Sequence, residues 1–444
     1  MSARGEFSSR LGFVLAAAGS AVGLGNIWGF PSQVAQNGGA AFVLVYLILA
    51  FFLAYPVLMA ELIIGRATRA NVVDALGAIT QSKAGRYVGL WGALTASLIL
   101  SFYAIVAGWM LAYFVESTLS LVTDKPSLTW FVDFSFSRNW FFCLLFLSFT
   151  AAIVTGGVRQ GIEKWSVRLM PTLVILIVAL IIYVSLQDGA IDGWRAYLIP
   201  DFSKVTDPEL LISAMGQAFF SMSLGVGTML VYGSYIAKSE NLPALGASVA
   251  LVDIGVAVLA GMLIIPAMYV AQANGVAIFT ESGTLIEGDA LIFNVLPSLF
   301  ASIGPIGVVI ASVFFALMSI AAVTSSISML EVPVSYLVED KAVSRTKAVW
   351  VMTLVILGIS TVIIANFGDL FGLVITVTTQ YSQPLLGLIM CVFVGWVWRR
   401  NAILSELKEG FAGAKQSLFW KIWPVYVKFV CPIIIGVMFI RTVL

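Results

Sequence analysis

The chain has 444 residues, 60% of them hydrophobic and 11% charged, with a mean hydropathy of +1.01. A soluble protein of this size could not hide so much apolar surface, so the composition excludes one and points to a polytopic membrane protein. A net charge of +1 gives no case for a nucleic-acid partner, and the absence of histidine removes the commonest metal ligand and the usual near-neutral proton switch.

Residues 1–10 are polar with two arginines and read as a cytoplasmic N-terminus. The apolar run that follows outlasts a signal-peptide core and shows no convincing cleavage site, so it reads as a retained first span. Runs of roughly 20 residues, enough to cross a bilayer, fall at 11–36, 40–65, 87–122, 138–156, 162–186, 208–236, 243–271, 304–338, 345–364, 370–397 and 421–442, which makes eleven spans. Of the 24 basic residues, only Lys125, Arg138, Arg195 and Lys204 fall in loops of one side, with Lys428 and Arg441 in the last span. The rest collect on the other side, which the positive-inside rule makes cytoplasmic: N-terminus in, C-terminus out, in the cell membrane. The expected organisation is a five-span repeat over 11–186, an outer loop over 187–207, and a second, inverted five-span repeat over 208–397 with an outer loop at 272–303. A cytoplasmic loop, 398–420, and a last span, 421–444, follow. The stretch 187–209 carries Asp188, Asp192, Asp201, Asp207 and Glu209; the loop 272–303 carries Glu281, Glu287 and Asp289 and is half apolar, which suits a segment folded back onto the helices. Cys143, Cys391 and Cys431 lie within apolar runs and read as small core residues, not a disulfide framework.

Two spans contain backbone that should not persist as helix. Span 1 holds "GSAVGLGNIWGFP" (Gly19 to Pro31) and span 6 holds "AFFSMSLGVGTMLVY" (Ala218 to Tyr232). Glycine and asparagine are poor helix formers, and the paired glycines, Gly23 with Gly25 and Gly225 with Gly227, occupy the first span of each successive group of five. Matching weak points in two halves indicate an inverted-repeat transporter. Irregular backbone at that depth is tolerated where it lines a cavity, where freed carbonyls can hold a cation and half-helix N-termini can face an anionic group. Close helix packing would account for the glycines alone, but not for their polar neighbours Ser20, Asn26, Ser221 and Ser223.

These two stretches, with "NGGAAF" after the first and "AAVTSSISMLE" in span 8, resemble the neurotransmitter:sodium symporter family from about Arg4 to Trp398. The resemblance implies an all-α protein of the leucine-transporter fold, with helices 1 and 6 unwound at mid-membrane, in the bacterial eleven-span branch and closest in character to a transporter of multiple hydrophobic amino acids. It also implies two sodium ions and no organic cofactor. At the first sodium site the matching groups are the Ala21 carbonyl, Asn26, Ser221 and Asp253, the last standing where relatives usually have asparagine. A carboxylate inside the membrane is costly and usually functional, so Asp253 would give sodium a counter-charge; the alternative is a protonated, hydrogen-bonded aspartate. At the second site the groups are the carbonyls of Gly19, Val22 and Ala321 and the hydroxyls of Thr324 and Ser325. Four hydroxyl residues crowd this stretch, Thr324, Ser325, Ser326 and Ser328, more than back-bonding to one helix requires.

Members of the family that carry amines have an aspartate at the position of Gly23, so its absence implies a ligand that supplies its own carboxylate, as an α-amino acid does. Tyr103 matches the tyrosine that holds that carboxylate. Ser20, Ala21, Leu24 and Gly25 would surround the amino-acid end, beside Ser221. Ile99, Phe220, Ser223, Val226, Ser325 and Met329 would form a side-chain pocket without charge, fit for Leu, Ile, Val and Met and open to Phe, Tyr and Trp. Ala257 stands where chloride-dependent relatives have serine, which implies chloride independence.

The outer ion-pair gate of relatives is incomplete here, because Gly29 replaces its arginine while Asp369 remains as the acid. On the inner side, Arg4 with Asp340 matches a family clamp and Phe7 an aromatic plug. Gly161 and Pro171 bracket the cytoplasmic half of span 5, which they would allow to open toward the second sodium site. The expected function is sodium-coupled import of hydrophobic L-amino acids by alternating access, with the lipid bilayer as surroundings and no enzymatic activity. A proton-coupled transporter of the same architecture, using Glu61, Asp253 or Glu331, is the alternative, and a non-transporting membrane receptor is the alternative of another class. Glu61 itself reads as structural, its charge answered by helix backbone or hydroxyls.

Overall fold

The computed structural model describes residues 5–123, 135–279, 285–286 and 295–443. Arg4, Glu281, Glu287 and Asp289 lie outside the described residues. Among those described, nine helices are long and apolar enough to cross a membrane: Ala40–Thr68, Lys83–Leu121, Phe136–Thr155, Val158–Ser185, Leu242–Ala273, Pro305–Glu339, Arg345–Ala365, Phe367–Val397 and Leu418–Thr442. They coincide with the spans expected as 2–5 and 7–11, and those numbers are kept below.

The remaining two expected spans are interrupted. Span 1 is Arg10–Ala21 followed by Gly25–Gln36, with a 56° bend between them. Span 6 is two short helices, Pro208–Ser221 and Thr228–Gly233, neither of which reaches across a bilayer alone. Between them Ser223, Gly225 and Gly227 have φ of 51°, 88° and 84°. Two of the three are glycine, the residue for which a left-handed backbone costs least.

Among the described residues the long spans 3 and 8 share the most extensive helix contact, and the broken span 1 packs on spans 5, 7 and 8. The second limb of span 6 is pressed into span 2. A Cβ on Gly65 would collide with the Leu230 carbonyl, and one on Gly233 would sit 2.9 Å from the Leu62 carbonyl. The Glu61 carboxylate completes this contact by accepting hydrogen bonds from the backbone N–H of Gly225 (2.6 Å) and Leu230 (3.3 Å). Glu61 thus sits in the structural position expected of it, answering donors that the helix start leaves unpaired.

Several connections are more ordered than the sequence suggested. The loop 187–207 contains a helix, Ala190–Leu198, whose Tyr197 hydroxyl donates to the Val258 carbonyl of span 7 at 2.9 Å. The loop 398–420 contains Arg400–Gly410, tied to the end of span 2 by a buried Arg66–Glu406 ion pair at 2.6 Å. A further short helix, Val72–Thr80, is capped by the Asn71 side chain. Span 5 runs unbroken through Pro171, and Gly161 lies in the wide turn Val158–Glu163, so the expected hinge is closed in this conformation. The three cysteines are buried free thiols.

Candidate functional site

The break in span 1 frees backbone in a buried place. Val22 is the last residue to bond back along the first limb, and the Gly23 N–H turns instead to the Asn26 side-chain oxygen at 3.2 Å. Asn26 donates through Nδ2 to Asp253 Oδ1 (2.7 Å) and to Ser221 Oγ (2.9 Å), and Ser221 donates to Asp253 Oδ2 (2.9 Å). Spans 1, 6 and 7 therefore meet at one buried carboxylate, and three of the four groups expected at the first sodium site are in mutual hydrogen bond; Ala21, the fourth, lines the adjoining pocket. The Tyr46 hydroxyl of span 2 approaches Ser221 Oγ at 3.5 Å, a neighbour that sequence reasoning missed. Among the described residues no lysine or arginine forms an ion pair with Asp253.

The five groups expected at the second site also converge. Ser325 Oγ donates to the carbonyls of Val22 (3.0 Å) and Gly19 (3.4 Å), while Thr324 Oγ1 lies 3.0 Å from the Ala321 carbonyl and 3.5 Å from that of Val22. Hard oxygens of this kind suit an alkali cation. The other two hydroxyls of the cluster point elsewhere: Ser326 pairs with Thr150 of span 4 (2.8 Å) and Ser328 accepts from Ser20 (2.6 Å).

Between spans 1, 3, 6, 8 and 10 lies a narrow cavity of about 30 Å³. Ala21, Leu24 and Gly25 of span 1 and Ile99 and Tyr103 of span 3 are on its wall. So are Phe220, Ser221, Ser223 and Val226 of span 6 and Ser325 and Met329 of span 8. Ser20 is the exception: its hydroxyl is spent on Ser328, and only its carbonyl reaches inward, accepting from Ser223 Oγ at 3.3 Å. Gly23, where amine carriers have an aspartate, is also on the wall, and Gln383 lines the cavity without having been expected there. A Cβ on Gly23 would collide with Ser325 Oγ and lie 2.9 Å from the Tyr103 hydroxyl, so a larger residue would fill this end. The Phe220 ring lies against Gly25, and Gln217 Nε2 donates to the Gly25 carbonyl at 2.8 Å. Among the described residues no charged side chain lines the cavity.

Three of the four expected gate residues, Phe7, Asp340 and Asp369, are among the described residues. The Asp340 carboxylate pairs with Lys341 Nζ and Arg86 Nη2, each at 2.8 Å. These cations hold it down at about 2, well below the usual carboxylate value, Lys341 contributing most. The expected partner, Arg4, is outside the described residues. Phe7 is buried, its ring edge-on to Phe13, Tyr232 and Tyr235, and its N–H bonds the Tyr235 carbonyl at 3.1 Å. Next to it Ser8 donates to the buried Glu163 through both N–H (2.8 Å) and Oγ (2.6 Å), and Glu6 pairs with Arg69. Asp369 is exposed and makes no ion pair among the described residues, so no acid–base outer gate is formed. Glu331 is taken up by Arg345 (2.6 Å) and the Tyr235 hydroxyl (2.7 Å).

Broken helices at matching positions, clusters of oxygen groups beside them and a pocket lined by no charged side chain among the described residues are the features of an ion-coupled membrane transporter. The family model for the sodium:neurotransmitter symporter family matches residues 4–137 and 132–444, and the chain belongs to that family. An uncharacterized sodium-dependent transporter of Haemophilus influenzae is 35% identical to it, with 98% of each chain covered. Another, from Bacillus subtilis, is 31% identical over 99% of this chain and 97% of its own. The crystal structure of MhsT in complex with L-phenylalanine is 36% identical, covers 99% of this chain and 100% of its own, and superposes with a TM-score of 0.86. The fold is thus the 5+5 leucine-transporter fold, and the protein is a sodium-dependent secondary transporter rather than an enzyme.

Proposed function

We propose that this chain imports hydrophobic L-amino acids together with sodium, by alternating access, from the outer face to the cytoplasm that holds its N-terminus. The observation that carries the reading is the cavity itself: polar at the span-1 break, apolar at Ile99, Val226 and Met329, and without charge on its wall. A Lys, Arg, Asp or Glu side chain would be stranded there. The structure of MhsT with L-phenylalanine supports the same class of ligand.

One sodium ion beside Asn26, Ser221 and Asp253 joins spans 1, 6 and 7. A second between the Gly19, Val22 and Ala321 carbonyls and the Thr324 and Ser325 hydroxyls joins span 1 to span 8. The amino acid lies between them, its carboxylate toward Tyr103 and the freed backbone of span 1. Each ligand favours the closed arrangement that the others also need, which is the origin of coupling. The pairing of Glu331 with Arg345 and of Glu61 with backbone donors favours structural roles for both over proton carriage.

The test is uptake of labelled leucine and tryptophan into proteoliposomes with and without an inward sodium gradient. Accumulation should require sodium. Accumulation that persists when choline replaces sodium overturns sodium coupling in favour of protons, and binding without accumulation in sealed vesicles would identify a receptor.

A further inference from the structure

Gln383 opens the stretch Gln383–Val392 of span 10, immediately after the wide turn Thr376–Ser382. It is 3% exposed, and it lines both the narrow cavity between spans 1, 3, 6, 8 and 10 and a second cavity bordered by Gln33, Gln217 and Thr379. Its side-chain oxygen has no hydrogen-bond partner. The other polar side chains on the inner wall are engaged: Ser221 with Asp253, Ser223 with the Ser20 carbonyl, Ser325 with the Val22 carbonyl, and Tyr103 with the Leu24 N–H. Gln217 and Thr379 are likewise spent on backbone carbonyls.

The position of Gln383 is fixed from both sides. A Cβ on Gly225, in the break of span 6, would collide with the Gln383 carbonyl, and one turn on, a Cβ on Gly387 would collide with the Phe219 ring. The residue is therefore held by close backbone contact, as a specificity element needs to be. A buried amide with an unmade hydrogen bond is unfavourable, and a leucine or methionine would fill the place without that cost. The carboxamide makes sense where the occupant of the cavity supplies the missing donor.

We propose that Gln383 is a specificity-determining residue that accepts a hydrogen bond from the ring O–H or N–H of an aromatic substrate, so that the pocket prefers tyrosine and tryptophan to phenylalanine. This rests on the amino-acid reading of the same cavity and narrows it. Phenylalanine fills the same apolar walls but leaves the amide oxygen unpaired, and a site built to hydrogen-bond a side chain discriminates against the analogue that lacks the group.

The test is sodium-dependent binding of labelled leucine to the purified full chain, displaced in turn by tyrosine, tryptophan, phenylalanine and O-methyltyrosine. Tyrosine and tryptophan should displace at about tenfold lower concentration than phenylalanine and O-methyltyrosine, the effect of roughly one hydrogen bond. Gln383→Leu and Gln383→Met should bring the tyrosine-to-phenylalanine ratio to about one; a ratio taken within one preparation does not depend on the folded fraction. A wild-type ratio of one or below, or a preference retained in both variants, overturns the proposal. Should neither variant bind leucine, the wild-type comparison of tyrosine with O-methyltyrosine decides it. Absence of any sodium-dependent leucine binding by the wild type would instead overturn the amino-acid reading itself.

Discussion

Asp253 is buried, receives hydrogen bonds from Asn26 and Ser221, and is paired with no basic side chain among the described residues. Such a carboxylate is expensive unless a cation answers it. Asp253→Asn should keep most of the hydrogen bonds but lose the charge, raising the sodium concentration for half-maximal leucine binding by about tenfold. A sodium titration of binding at fixed leucine reads this directly. Glu61→Gln should cost about 1–3 kcal/mol of stability, because one neutral oxygen cannot hold both the Gly225 and Leu230 donors as a carboxylate does. Thermal unfolding in detergent would show it as a lowered Tm. Asp340 differs because it lies at the aqueous end of span 8. An unpaired aspartate ionises near 3.8, and Lys341 and Arg86 hold this one at about 2. The contribution of its ionised form is therefore complete above about pH 4 and is lost only as the pH falls toward 2. Asp340→Asn should loosen the inner face equally at pH 5 and pH 8, measured as thiol labelling of a cysteine placed at Ser20.

The two broken spans were legible at the level of the element because weak helix formers rarely cluster inside an apolar run unless the helix stops there. Their polar neighbours pointed to the same place, and most of the expected site residues do meet there. Gln383 and Tyr46 were not legible, since a single glutamine or tyrosine in a span carries no pattern; only tertiary packing brings span 10 and span 2 to the site. The short helices Val72–Thr80 and Ala190–Leu198 escaped for a different reason, each having only 9 residues and no long apolar run. The pairing of Asp340 with Arg86 joins residues 254 apart in sequence, which periodicity cannot reveal. Gly225 offers the sharpest test of the span 6 break. Gly225→Ala places a side chain at φ 88° and against the Gln383 carbonyl, adding roughly 1–2 kcal/mol of backbone strain to a steric collision. Amino-acid binding should be lost and the Tm lowered. For span 5, hydrogen exchange over Val158–Pro171 should rise when sodium is withdrawn, if the closed turn at Gly161 opens during transport; no change would show that this half stays fixed.

For the molecule as a whole, the match to MhsT over essentially the full chain accounts for the architecture, while the proposed orientation rests on the distribution of basic residues alone. That orientation predicts that a cysteine replacing exposed Ser203 is labelled by an impermeant reagent on intact cells, and that one replacing exposed Ser405 is labelled only after permeabilisation. Both experiments are simplified by the native thiols. Cys143, Cys391 and Cys431 are sealed in the interior, where a maleimide dissolved in water cannot reach them. The unmodified chain is thus its own blank: a single engineered thiol should report alone, with no need to replace the three native ones first.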